Sequence, residues 1–143
     1  MGQKSLADIA SDMRGIDIAM LSTITEGGAI ASRPMSNNGE VEYDGNSYYF
    51  TRDDTRLVHD IERDPDVALA FSSKPGLFSG GLFIAVAGKA EIIRDKLAFP
   101  AHWTSDHDAW FEQGIDTPGL VMLKVHANHI KYWSGGDEGE LAV

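Results

Sequence analysis

The sequence predicts a mainly β protein, an antiparallel barrel with peripheral helices. Three observations carry that expectation. Six or so strand-like runs follow one another, and most are joined by tight turns rich in Gly, Asn and Asp. Most of the helical patterns are inserted late, and none alternates with strands in the manner of βαβ units. The chain has 143 residues, 43% hydrophobic and 24% charged, without internal repeats or a linker, so it reads as one domain over 1–143 with a real core.

The elements follow in order. Ser5-Leu6-Ala7-Asp8 starts a helix, with Ser5 as N-cap, Asp8 in the first turn and Gly15 at the stop. Leu6, Ile9, Ala10 and Met13 recur at helical spacing on its covering face. Ile18–Thr25 is a strand, turned at Glu26-Gly27-Gly28 into Ala29–Ser36. Asn37-Asn38-Gly39 breaks that second strand. Val41-Glu42-Tyr43, Asp44-Gly45 and Ser47–Thr51 read as a further hairpin, because Asp-Gly supplies the positive φ such turns need. Asp53 or Asp54 is positioned to cap a helix running to about Arg63, with Leu57, Val58 and Ile61 inward and Pro65 beyond its end. Val67–Ser72 is the next strand, and Ser73–Ser79 a loop. Leu82–Ile93 is the longest strand, and Gly88 inside it signals a bulge or a tight bend. Two short helices are expected around Lys96–Trp103 and Asp106–Gln113, the second capped by Ser105 with Asp108. Leu120–His126 and Ile130–Trp133 supply the last strands. The acidic stretch 135–143 is expected to be a mobile tail.

Composition narrows the function. The formal charge is −10, from 12 Lys plus Arg against 22 Asp plus Glu, and a general nucleic-acid binder should instead be basic. Cysteine is absent, which removes disulfides, thiolate catalysis and iron–sulfur clusters and fits a cytoplasmic protein. No apolar run is long enough to span a bilayer, so no membrane partner is expected. The pairs His102 with His107 and His126 with His129 lack a convincing third ligand, so no metal site is assigned. No nucleophile-elbow context accompanies the histidines, which sets hydrolysis aside.

The stretch from Ala29 to Leu57 holds the candidate site. Two strand-like runs lead into a helix start, with Arg33, Arg52 and Arg56 at the junctions. Pro34 cannot donate to a ladder, so it belongs at an edge, a strand end or a bulge, and it keeps Arg33 extended. An open backbone edge beside guanidinium groups and a helix N-terminus suits a flat ligand carrying a phosphate. The ordinary alternative is that these arginines pair with nearby carboxylates such as Asp53 and Asp54. Likewise Trp103, Trp110 and Phe111 serve as packing residues more often than as cofactor contacts.

The order of motifs adds a resemblance. It runs through Arg33-Pro34-Met35, Phe50-Thr51, Thr55-Arg56-Leu57-Val58, Asp64-Pro65-Asp66-Val67 and Val86-Ala87-Gly88-Lys89-Ala90. Trp110-Phe111 with Gly114, and a terminal Tyr132-Trp133, complete it. From Leu6 to Trp133 this resembles the general-stress-protein branch of the pyridoxamine 5'-phosphate oxidase-like, FMN-binding split-barrel superfamily. The resemblance implies a six-stranded Greek-key split barrel that forms a homodimer, with FMN in each of two inter-subunit clefts. It also implies oxidoreductase-type chemistry, with NAD(P)H a candidate reductant. Carried over by position, Ser32, Arg33, Pro34, Met35 and Ser36 run along the flavin, and Phe50 and Thr51 lie beside its ring and ribityl chain. Thr55 and Arg56 hold the phosphate, Phe83 approaches from a neighbouring strand, and Trp133 and Trp110 wall the cleft, with a contribution from the partner subunit allowed.

Two departures stand out. Relatives commonly carry a lysine where this chain has Leu57, and Arg56 cannot simply inherit its geometry because helix neighbours point about 100° apart. After Trp133 the chain has neither the Arg nor the His with which the true oxidase grips its vitamin, so pyridoxine 5'-phosphate oxidation is not expected. Alternatives left open are a non-catalytic flavin-sequestering or flavin-sensing stress protein, and a split-barrel reductase using a deazaflavin or haem.

Overall fold

The computed structural model describes residues 3–37, 43–74 and 81–143. Helix α1 (Leu6–Met13) opens the chain and is closed at its start by a reciprocal capping box between Ser5 and Asp8. It is followed by β1 (Ile18–Ile24), β2 (Ile30–Ser36) and β3 (Asn46–Arg52), then helix α2 (Arg56–Arg63), β4 (Asp66–Ser73) and β5 (Leu82–Ile93). Helix α3 (Ser105–Asp108), β6 (Leu120–Ser134) and β7 (Asp137–Ala142) complete it. All strands belong to one antiparallel sheet in the order β2-β1-β4-β5-β6-β3, and β7 pairs with the far half of β6. The sheet curls into a split barrel whose two ends, β2 and β3, do not pair with each other. Its concave side is filled by alternate residues such as Ala19, Leu21, Leu69, Phe71, Ile84, Val86 and Ile130. Helices α1 and α2 add Ile9, Met13, Leu57 and Ile61 to that core.

Several expectations change. Residues Val41 and Glu42, and most of the Ser73–Ser79 loop, lie outside the described residues. Helix α2 is capped by Thr55, whose hydroxyl accepts from the Val58 N–H at 3.4 Å, and not by Asp53 or Asp54. Asp53 turns away to Arg94, 3.5 Å from its guanidinium. The region 95–117 holds only short 3-10 turns and the single turn of α3, capped by Thr104 and not Ser105. Pro100 has no N–H to donate to the Lys96 carbonyl, which breaks the helix expected over Lys96–Trp103 into two short turns. That segment instead packs Phe99, Trp103, Phe111 and Ile115 over Phe50, Leu120 and Met122 as a second small core.

The last strand is continuous where two pieces were expected. Ala87 pairs with His129 and Gly88 with Ala127, so Asn128 is an extra residue bulged out of β6. The bulge resets the in–out alternation, which is why the pattern from Leu120 to Trp133 looks interrupted in sequence. Gly88 is required opposite it: a Cβ there would lie 2.1 Å from the His126 carbonyl oxygen. The acidic tail is also ordered differently from the expectation. Residues 137–142 return as β7 against β6, and Gly139 lets the Tyr132 hydroxyl sit directly over the tail backbone.

Candidate functional site

The open seam of the barrel forms a cleft of about 270 Å³. One wall is β2, through Pro34, Met35 and Ser36, with Ile18 of β1 beside it. The opposite wall is β3, through Tyr49 and Phe50. His107, Trp110 and Phe111 close the end, and Trp110 stands at the mouth with 70% of its surface exposed. Among the described residues, no Asp, Glu, Lys or Arg lines this cleft. Its wall is apolar and aromatic, and its size is near the lower end of ligand pockets, roughly 300–1,000 Å³. That space suits a flat ring system, with any polar extension running out along the strands.

Two other hollows are less suited. One of about 540 Å³ lies against Asp137, Glu138 and Glu140, which repel an anion. Another, beside Tyr43, Tyr49 and His102, has only about 30 Å³, enough for ordered water. The Tyr43 hydroxyl is buried there without a hydrogen-bond partner among the described residues, and burial pushes the pKa of both Tyr43 and Tyr49 well above the usual tyrosine range.

The strand directions extend the cleft toward α2. Five antiparallel steps separate β2 from β3, so the two run in opposite directions across the seam. Moving from Ser36 back to Ser32 therefore parallels moving from Tyr49 forward to Arg52, and both lead toward the start of α2. At that start Thr55 donates its hydroxyl to the Arg52 carbonyl at 2.9 Å while capping the helix. Arg52 and Arg56 are exposed beside it, and neither makes an ion pair among the described residues.

Of the residues singled out in the sequence, Pro34, Met35, Ser36, Phe50 and Trp110 come together in the cleft wall. Ser32 and Pro34 face outward, and the Ser32 hydroxyl is 2.7 Å from that of Ser22. Thr51, Thr55 and Arg56 follow at the α2 end of the seam. Arg33 does not face the cleft. Its side chain turns into the barrel, where Nη1 donates to the Thr23 hydroxyl at 2.9 Å and to the Leu21 carbonyl at 3.3 Å. Its Nη2 lies 3.8 Å from Asp60, and burial lowers its pKa while Asp60 opposes that. An Arg33 so engaged is not available to share a phosphate with Arg56, and its carboxylate is Asp60, not Asp53 or Asp54. Phe83 and Trp133 pair with each other on the outer face of β5 and β6. They are three and four strands from β2, roughly 14 and 19 Å along the sheet, so within one chain they do not wall this cleft.

Leu57, at the position where the resemblance implies a lysine, is 6% exposed and belongs to the main core. The sequence does not single out Ile18, Tyr49 or His107 as wall residues and assigns Phe111 to packing, yet all four line the cleft. Ile18 and Met20 had a signal: apolar residues at both phases of β1 imply that its outer side is covered too. His107 had a weaker one, lying between Trp103 and Trp110-Phe111.

Comparison with known proteins adds family and fold. Residues 4–143 match the family described as pyridoxamine 5'-phosphate oxidase like. A solved structure of a protein related to general stress protein 26, from Clostridium acetobutylicum, is 21% identical and superposes with a TM-score of 0.81, covering 100% of this chain and 97% of that one. General stress protein 26 from Bacillus anthracis is 23% identical with a TM-score of 0.77, over 96% of this chain and 98% of that one. A haem-binding protein from Mycobacterium smegmatis is 17% identical with a TM-score of 0.77, over 99% of this chain but 60% of its own. No curated protein matches the chain.

Proposed function

The chain belongs to the pyridoxamine 5'-phosphate oxidase-like family, and on that premise we propose that it is an FMN-binding homodimer with oxidoreductase-type activity. The observation that carries this is the seam cleft itself, a flat apolar slot whose walls contain Pro34, Met35, Ser36 and Phe50. In this reading the isoalloxazine lies between β2 and β3 with Trp110 over the mouth. The ribityl chain passes Ser32 and Thr51, and the phosphate meets the first turn of α2 beside Thr55, Arg52 and Arg56. When bound, the flavin supplies the electron transfer. The chain's own residues hold the ring, keep water from its apolar edges and place a cationic helix start at the phosphate.

The outer face supports dimerisation. Pro34, Met20, Ala70 and Ala85 stand opposite one another along one row of the sheet, flanked by exposed Ile18, Phe83 and Trp133. Covering that surface with a second copy buries the apolar row and brings a second copy's Phe83 and Trp133 into play. Light scattering should report about twice the 15.6 kDa chain mass; a monomer at micromolar concentration removes the inter-subunit site.

Titrating the purified protein with FMN tests the main reading: the flavin absorbance bands should shift and sharpen. An unchanged spectrum with micromolar protein overturns it, and the same titration with a deazaflavin or haem identifies another cofactor. The His107 Nδ1 accepts the Thr104 N–H at 3.1 Å, which ties that ring to the loop at the end of the cleft. The apolar and aromatic lining that the described residues give the cleft, with no Asp, Glu, Lys or Arg among them, favours a second reading, flavin binding without turnover. Reduction of bound flavin by NAD(P)H and reoxidation by an added acceptor separate the two. Pyridoxine 5'-phosphate should stay unoxidised, because 134–143 contain no Arg or His.

A further inference from the structure

Asp60 is a buried carboxylate that the proposed cofactor contacts do not use. It lies on α2 between Val58 and Ile61, on the helix face that packs against the barrel. Its Oδ2 accepts the Thr23 hydroxyl at 2.9 Å and lies 3.8 Å from Arg33 Nη2. Its Oδ1 accepts from Arg63 Nη2 at 3.2 Å, and that same nitrogen donates to the Ile24 carbonyl at 2.8 Å. Thr23 is therefore a relay: its oxygen receives Arg33 Nη1 and its proton goes to Asp60.

We propose that Asp60 is a positioning residue for the seam, tying the helix start that faces the phosphate to the strand that faces the ring. Among the described residues, β2 is an edge strand that pairs with β1 alone. Its distance from α2 is left open by the backbone and is set by side chains. Arg33 is the residue next to Pro34, so anchoring its guanidinium to α2 fixes the neighbouring cleft wall as well. A hydrophobic residue of similar size can stabilise such a site equally well, but it lacks the directional bonds that fix one spacing.

This inference rests on the flavin reading for its functional readout, and a ligand-free arm tests it independently. Asp60→Asn keeps the shape and loses the charge. FMN spans both ends of the seam while riboflavin engages one, so the ratio of FMN to riboflavin affinity should fall by about five- to tenfold, measured well below the melting temperature. Equal weakening of both ligands, or none, overturns the proposal and leaves Asp60 a purely structural group. The double variant Asp60→Leu with Arg33→Met should recover melting temperature without recovering the affinity ratio; recovery of both overturns the charged tie. In the ligand-free protein, Asp60→Asn should speed amide exchange in β2 as well as α2, and acceleration confined to α2 overturns it. If the parent binds neither flavin, the functional reading fails, and the exchange pattern still decides whether Asp60 holds β2.

Discussion

Arg33 and Arg56 both stand near the junction of β2 and α2, yet they occupy opposite electrostatic surroundings. Arg33 is folded inward onto Thr23 and Asp60, in a cluster that also takes Arg63. Arg56, on the same helix as Asp60, points to solvent and makes no ion pair among the described residues. In a chain of net charge −10, an arginine left without a carboxylate is the one available to an anion. A guanidinium is informative about binding only when its partners are known, and four residues along one helix separate Asp60, paired inside the barrel, from Arg56, which makes no ion pair among the described residues.

The largest expected effect breaks the inner side of this comparison. Asp60→Ala leaves the Thr23 hydroxyl without its acceptor and Arg33 without its countercharge in a low-dielectric site. Removing one partner of a buried pair costs about 3–5 kcal/mol, which urea unfolding should detect. Arg56→Ala, in contrast, should change stability by less than about 0.5 kcal/mol. Similar losses for the two variants would erase the distinction.

Leu57→Lys comes next. The resemblance alone suggests that supplying the relatives' lysine would tighten FMN binding. Leu57 is instead packed with Ile61 and Val86 in the core, so the lysine must bury its stem and drag its ammonium toward the surface. A loss of roughly 2–4 kcal/mol of stability is expected. Tighter FMN binding with unchanged unfolding would show that the helix start swings outward easily.

The split barrel was legible because turn chemistry and alternation are local: Gly27-Gly28 marks the hairpin of β1 and β2, and β1 and β4 alternate between buried and more exposed residues. What was not legible depended on contacts distant in sequence. The Asn128 bulge exists only relative to Gly88. The β7 tail is stabilised by pairing with β6, which its acidic, glycine-rich composition does not advertise. At the site, Pro34 at an open edge was readable from its missing N–H. The inward turn of Arg33 was not, since its partner sits 27 residues later in sequence. Asp60 did leave a trace, as the one acidic residue on the apolar stripe of Leu57, Val58 and Ile61.

On the outer side, Arg56→Ala should weaken FMN binding by about ten- to a hundredfold, the equivalent of roughly 1.5–3 kcal/mol for a charge-assisted hydrogen bond. Riboflavin has no phosphate, so calorimetry should find its affinity nearly unchanged in the same variant. Unchanged FMN affinity would make Arg56 an ordinary surface residue and move the phosphate elsewhere.

The smallest effect is the response to salt, and it sets the two arginines apart without mutating either. Exposed charges are screened over about 10 Å at 0.1 M salt, whereas a buried cluster excludes the ions that would screen it. Raising ionic strength across the physiological range should therefore weaken FMN binding by roughly two- to fivefold. Riboflavin binding should stay flat over the same range. The stability difference between the parent and Asp60→Asn should also stay flat, because Thr23, Arg33 and Arg63 already surround that carboxylate. In an Arg52→Ala, Arg56→Ala double variant the salt dependence of FMN binding should largely disappear. A slope that survives in the double variant would mean that the phosphate is held by cations other than those at the start of α2. A slope shared equally by riboflavin would mean that salt acts on the protein's assembly, and the contrast between Arg33 and Arg56 would then carry no information about binding.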